Sequence, residues 1–136
     1  GMAFISSNVG AVHAFAETVG AWFDTPHGVA NSLFLPYIME FNIPACPERF
    51  ADIADAMGIE REESMSDEQY ALKAVEYVKA LNRKLNIPTI KEIKGITEER
   101  FEAIAERSAN NVLSNDNARK ITKEDYLELL KKAYNE

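Results

Sequence analysis

The sequence predicts an all-α fold, an irregular or orthogonal bundle of about six helices. Apolar residues recur at three- and four-residue intervals through nearly the whole chain. No run alternates apolar and polar residues between turn signals, so no strand is expected. Helix-start residues, Ser, Thr or Pro, stand just ahead of most of these apolar-periodic segments. A length of 136 residues fits one helical domain, residues 1–136, large enough to hold a core without staples.

Residues 4–22 alternate small and large apolar side chains and read as one buried helix. Gly10 and Gly20 within it point to close approach or a frayed end, since each costs about 1 kcal/mol against Ala in a helix interior. The next helix reads from Pro26 to about Phe41, with Thr25 as N-cap, Pro26 at the first helical position and Pro36 kinking it. "NIPACP" is a loop. Pro47 opens a third helix with Phe50, Ile53, Ala54 and Met57 on one face and Gly58 closing it. Ser66 with Gln69 forms a capping box. The helix behind it is expected to bury Leu72, Val75, Val78, Leu81 and Leu85 and to stop before Pro88. "TIKEI" is a short turn. Thr97 then caps a helix with Phe101, Ile104 and Ala105 inward, and "NVLSNDNARK" is a loop of turn formers. Thr122 caps the last helix, with Tyr126, Leu129, Leu130 and Ala133 inward.

Charge is divided unevenly. Residues 1–45 contain no Lys or Arg, and their acids are Glu17, Asp24 and Glu40. This first third should be interior and the rest its amphipathic wrapping. A net charge of -7 argues against nucleic acid or an anionic membrane surface, because phosphate contacts need clustered Lys and Arg. No run of eighteen apolar residues is present, which excludes a transmembrane helix, and the opening "GMAFISSNVGAVHAF" lacks a basic leader region. The single Cys46, between two prolines, forms no internal disulfide and reads as a small loop residue. It fits a reducing compartment, so a cytoplasmic location is expected.

Both histidines lie in the apolar third. Glu17 follows His13 at i+4, so the two side chains leave one helix face. His27 lies in the first turn of the second helix, and the turn "WFDTP" reverses the chain, so His13, Glu17 and His27 can converge. Neutral imidazoles suit zinc, iron, nickel or copper, and two His with one carboxylate can hold an iron(II) with open positions. The alternative is a core His paired with a Glu and a helix-start His bonded locally. Trp22, Phe23, Phe34 and Tyr37 read either as core or as the lining of a substrate channel. Asp24 reads as negative charge supporting a helix start. "EREESMSDEQ" is a solvated loop and cap. The chain has no HExxH, no CxxC pair, no Gly-rich phosphate loop and no nucleophile elbow.

The segment "GAVHAFAETVGAWFDTPHGVANSLFLPYIMEFN" resembles the hallmark region of the iron-containing (group III) alcohol dehydrogenases. That region has the form G-x-x-H-x-x-A-H-x-x-G-A-x-x-x-x-P-H-G-x-x-N-A-x-L-L-P. Gly10, His13, Ala16, Gly20, Ala21, Pro26, His27, Gly28, Asn31, Leu35 and Pro36 fall in step with it. "NDNARKITKEDYLELLKKAY" is similar to the family's ending. The resemblance implies a dehydroquinate synthase-like α-domain. It also implies a divalent metal, usually iron and sometimes zinc, held by one Asp and three His. His13 and His27 match the last two of those ligands. NAD(P) belongs to the full-length family, whose α/β nucleotide-binding domain precedes the helical one. The chain corresponds to roughly the last third of a member, without that domain or the helix bearing the first two ligands. Glu17 stands where the family often carries a proton-relay His, so its role is that of a substitute relay, a third ligand, or neither.

Two expectations follow. One is an alcohol/aldehyde oxidoreductase piece that is inactive as an isolated chain. The other is a stand-alone helical protein descended from that domain, with a structural, binding or new metal-site role. In either case residues 1–45 should face a partner, a second copy or the nucleotide-binding domain, because apolar surface stripped of its cover seeks a new one.

Overall fold

A computed structural model describes residues 10–135. It contains helices α1 (Gly10–Phe23), α2 (His27–Asn42), α3 (Pro47–Ala56), α4 (Asp67–Lys84), α5 (Phe101–Asn110) and α6 (Lys123–Asn135). Short 3-10 turns occupy Ile43–Ala45, Ile90–Glu92, Glu98–Arg100 and Val112–Asp116. Among the described residues there is no strand, in line with the all-α expectation. The start foreseen for the first helix, at residues 4–9, lies outside the described residues.

The helices build two cores that share α2. The larger gathers Val12, Phe15 and Val19 of α1, Leu33, Phe34 and Ile38 of α2, Phe101 and Ile104 of α5, and Tyr126 and Leu130 of α6. The smaller gathers Met39 and Ile43 with Phe50, Ile53 and Ala54 of α3 and Tyr70, Ala71, Ala74, Val75 and Val78 of α4. Consecutive residues of α2, Ile38 and Met39, thus face different cores. The helix runs on through Pro36, whose missing N–H leaves the Ser32 carbonyl without its helical donor. Asn82 of α4 supplies one, its Nδ2 donating to Ser32 O at 2.7 Å. The proline therefore creates the acceptor that ties α4 to α2.

Helix ends follow local chemistry with two exceptions. Gln69 N donates to Ser66 Oγ at 3.2 Å and Ser66 N donates to Gln69 Oε1 at 3.0 Å, the expected reciprocal cap. Thr122 makes the same exchange with Asp125. Gly58, at φ +79, follows α3 as foreseen. Thr25, however, does not cap α2. Its hydroxyl points back to Phe23 O at 3.5 Å, and Pro26 is the residue that precedes the helix, its carbonyl accepting from Ala30 N at 3.0 Å. Thr97 likewise opens a 3-10 turn without a side-chain cap, and α5 proper begins at Phe101.

The inward face of α4 is also corrected. Leu72, Leu81 and Leu85 are 41%, 41% and 61% exposed. Tyr70, Ala71 and Ala74 join Val75 and Val78 inward instead. Small alanines on that face let α3 come close, which the larger leucines would prevent.

A buried polar chain locks the C-terminal half. Ser114 Oγ donates to Ser108 O at 2.6 Å, so its oxygen is left to accept from the Tyr126 hydroxyl, also at 2.6 Å. Burial pushes the Tyr126 phenol up to about 12. An unfolded Tyr titrates near 10. The raised value means that this contribution is complete below about pH 10 and is lost as pH rises toward about 12, roughly 2–3 kcal/mol in all. Urea midpoints of the native chain are expected to fall over that window. Tyr126→Phe should show a shallower fall and a cost of about 1 kcal/mol at neutral pH. Equal slopes for the two proteins would refute the assignment.

Candidate metal centre

The residues between α1 and α2 set the site. Asp24 adopts φ +51, a left-handed conformation that Asp tolerates better than most residues, and it reverses the chain. Thr25 precedes a proline and is biased to extended backbone, and Pro26 is extended, at ψ 136. The strand-like link runs back along α1. Gly20 makes this possible, since a Cβ there would stand 3.2 Å from Thr25 O. Gly20 and His13 are two helical turns apart, about 10 Å along one face. The link passes Gly20 and delivers His27 to His13. The two imidazoles lie stacked, with centroids 6.1 Å apart and planes 17° from parallel.

His13 is half-buried and His27 is exposed. His13 and His27 are the residues that would hold a divalent ion between α1 and α2. The donor chemistry would suit iron(II) or zinc, but two histidines alone do not complete a site, since such ions take three or more protein ligands. Among the described residues no group of three or more His, Cys, Asp or Glu side chains is placed to hold a metal. Glu17 does not complete one in this arrangement. Its exposed carboxylate accepts from Asn111 Nδ2 at 2.7 Å, and Asn111 in turn caps the 3-10 turn behind it by accepting from Leu113 N at 2.9 Å. Sequence spacing put Glu17 on the face of His13, which holds for the backbone. It gave no sign of Asn111, 94 residues away in the chain.

The other candidates separate cleanly. Phe34 is core, stacked on Phe15 at 3.8 Å between centroids. Phe23 packs on Gly95, whose φ of +95 and 3.0 Å approach of the ring to a would-be Cβ leave no room for a side chain. Tyr37 is partly buried against the larger core, with the Lys79 ammonium 5.0 Å from its ring centre. Trp22 alone of the four stands exposed, at 38%, with the Arg107 guanidinium 5.7 Å from its ring centre. Cys46 lends its thiol to Asn42 O at 3.8 Å, and burial pushes that thiol up, away from nucleophile chemistry. A cleft of ≈ 160 Å³ between α2 and α4 is lined by Leu33, Tyr37, Lys79 and Arg83, and neither histidine lines it. No helix among the described residues is long and apolar enough to cross a membrane.

Known proteins match this arrangement along almost its whole length. The chain is 40% identical to lactaldehyde reductase of Escherichia coli (strain K12) over 134 residues, covering 98% of this chain and 35% of that protein. It is 36% identical to 1,3-propanediol dehydrogenase of Citrobacter freundii, covering 98% and 34% respectively. Among solved structures, an alcohol dehydrogenase from Oenococcus oeni superposes with a TM-score of 0.83 at 40% identity, over 90% of this chain and 32% of that one. The chain thus spans about a third of the length of these relatives. Residues 1–134 match the model of the Fe-containing alcohol dehydrogenase family, C-terminal region. With the paired histidines in the segment that resembled this family, and an all-helical fold to match, the chain belongs to the iron-containing alcohol dehydrogenases and corresponds to their C-terminal domain.

Proposed function

We propose that this domain contributes His13 and His27 to a divalent metal site, iron or zinc, in an alcohol/aldehyde oxidoreductase that uses NAD(P). The observation that carries the reading is the stacking of two accessible imidazoles from different helices, at positions matching the family's ligand pattern. A bound metal supplies Lewis acidity toward an alcohol or aldehyde oxygen. The chain's own part is positional. The Gly20 contact and the extended Thr25–Pro26 link hold His27 opposite His13, and the Phe15–Phe34 stack fixes α1 on α2. Relatives named for lactaldehyde, 1,3-propanediol, butanol and methanol support a small alcohol or aldehyde as substrate class. The remaining ligands and the binding site for the nicotinamide cofactor come from polypeptide outside residues 10–135. The exposed ends of α1 and α2, around Trp22 and His27, face that polypeptide.

The test has two arms. The chain alone, supplied with iron(II) or zinc, NADH and lactaldehyde, is expected to show no turnover above the metal blank. A chimera carrying this chain in place of the matching C-terminal third of the Escherichia coli lactaldehyde reductase is expected to regain metal-dependent turnover. Turnover by the chain alone would overturn the division of labour. A folded, metal-loaded but inert chimera would overturn the chemistry.

A further inference from the structure

The cleft of ≈ 160 Å³ between α2 and α4 lies apart from the histidine pair, neither member of which lines it. Its floor is hydrocarbon. Leu33 and Ile90 are buried there, and Pro36 and Pro88 add surface with no backbone N–H to offer. The charged residues that line it, Lys79 and Arg83, are both basic, and no Asp or Glu does so. The chain as a whole has 22 acids against 15 Lys and Arg, so the cleft is a local inversion of its charge. A concave site walled by one sign of charge concentrates potential and draws in the opposite ion.

The two cations are held differently. Lys79 has its side chain 11% exposed and pairs with Glu40 and Glu76 at 4.0 and 3.9 Å, its ammonium 5.0 Å from the centre of the Tyr37 ring. Glu40 is shared with Lys132, and neither carboxylate lines the cleft. Arg83, one turn on, is exposed, and among the described residues its side chain enters no ion pair or hydrogen bond. The backbone around it is fixed. Asn82 donates from Nδ2 to Ser32 O at 2.7 Å, and its carbonyl accepts from Ile87 N at 2.9 Å. A guanidinium is a planar fork that grips a carboxylate through two parallel N–H donors.

The lining also says what the anion carries. An inorganic phosphate would set some of its oxygens against the hydrocarbon floor, where they find no donor. A carboxylate with a short tail meets both sides, its oxygens at the cations and its methylenes on the floor. Volume sets the size, since a cavity of about 150 Å³ takes a benzene-sized guest of roughly six heavy atoms. Butanoate has that size.

We propose that the α2–α4 cleft binds a short-chain monocarboxylate, its carboxylate paired with Arg83 beside Lys79 and its tail resting on Leu33, Pro36 and Ile90.

An amide-shift titration of the isotope-labelled chain with sodium butanoate, at constant ionic strength and near neutral pH, tests it. Saturable shifts are expected to concentrate at Asn82, Arg83, Ile87 and Ile90, with a dissociation constant on the order of 1 mM. Acetate, two methylenes shorter, should bind about tenfold more weakly. Butanamide, which keeps the tail and loses the charge, should also bind about tenfold more weakly or worse. Arg83→Gln, at an exposed position, should weaken butanoate about tenfold, and Arg83→Lys, which keeps the charge without the fork, about threefold. Circular dichroism confirms that both variants keep their helices. The absence of saturable shifts at these residues overturns the proposal. So does butanoate binding indifferent to Arg83→Gln, or inorganic phosphate binding the cleft as tightly as butanoate does.

Discussion

A Phe15→Ala chain is expected to lose about 3–5 kcal/mol of stability. Phe15 and Phe34 are fully buried, and their rings stack with centroids 3.8 Å apart across the α1–α2 contact. Removing one ring leaves a hole bounded by the other ring and by Val12 and Val19 of the same core, none of which can collapse far without moving a helix. A domain of this size holds only about 5–15 kcal/mol in total, so the melting midpoint should fall by roughly 10–20 °C. Thermal melts at 222 nm check it, with Leu85→Ala, at an exposed position, as the comparison. That change should stay within about 0.5 kcal/mol. A fall of less than about 5 °C for Phe15→Ala would mean that the α1–α2 contact is not where the larger core derives its stability.

Much of this arrangement was legible in the sequence because its causes are local. The Ser66–Gln69 exchange, the Gly58 stop and the Thr122 start each depend on residues within one turn of one another. The reversal at "WFDTP" was legible too, but its local form was not, since Thr25 and Pro26 read as a cap and a first helical residue and instead form a link ahead of the helix. What sequence could not show depends on which of two surfaces wins. Hydrophobic spacing on α4 places Leu72, Val75, Val78, Leu81 and Leu85 inward, whereas Tyr70, Ala71 and Ala74 are buried with Val75 and Val78. Close packing against α3 reverses the choice. The same holds for Asn82, which reads as an ordinary helix residue until Pro36, 46 positions away, frees the Ser32 carbonyl for it. Glu17 is the clearest case at the site. Its spacing from His13 pointed to joint metal binding, whereas its actual partner is an amide brought in by the turn after α5.

The paired imidazoles set the largest functional effect. In the chimera with the lactaldehyde reductase, His27→Ala is expected to lower turnover at least about 10³-fold, because a metal acting as a Lewis acid contributes several kcal/mol. His13→Ala should do the same, and the double variant should be little worse than either, since two ligands of one ion would act as a unit. Bound metal, measured by elemental analysis after gel filtration, should fall with turnover in all three. Glu17→Gln separates the two roles left to that residue. It keeps the side chain's shape and its reach to Asn111 while removing the charge. As a ligand, Glu17 would take metal content down with it. As a proton relay it would leave metal in place and lower turnover about 10²-fold or more. The observed geometry, with the carboxylate held by Asn111 and away from any group of three ligands, leads to a third expectation: metal retained and turnover changed by less than about tenfold. A His27→Ala chimera that keeps both its metal and its rate would remove the histidine pair from the chemistry altogether.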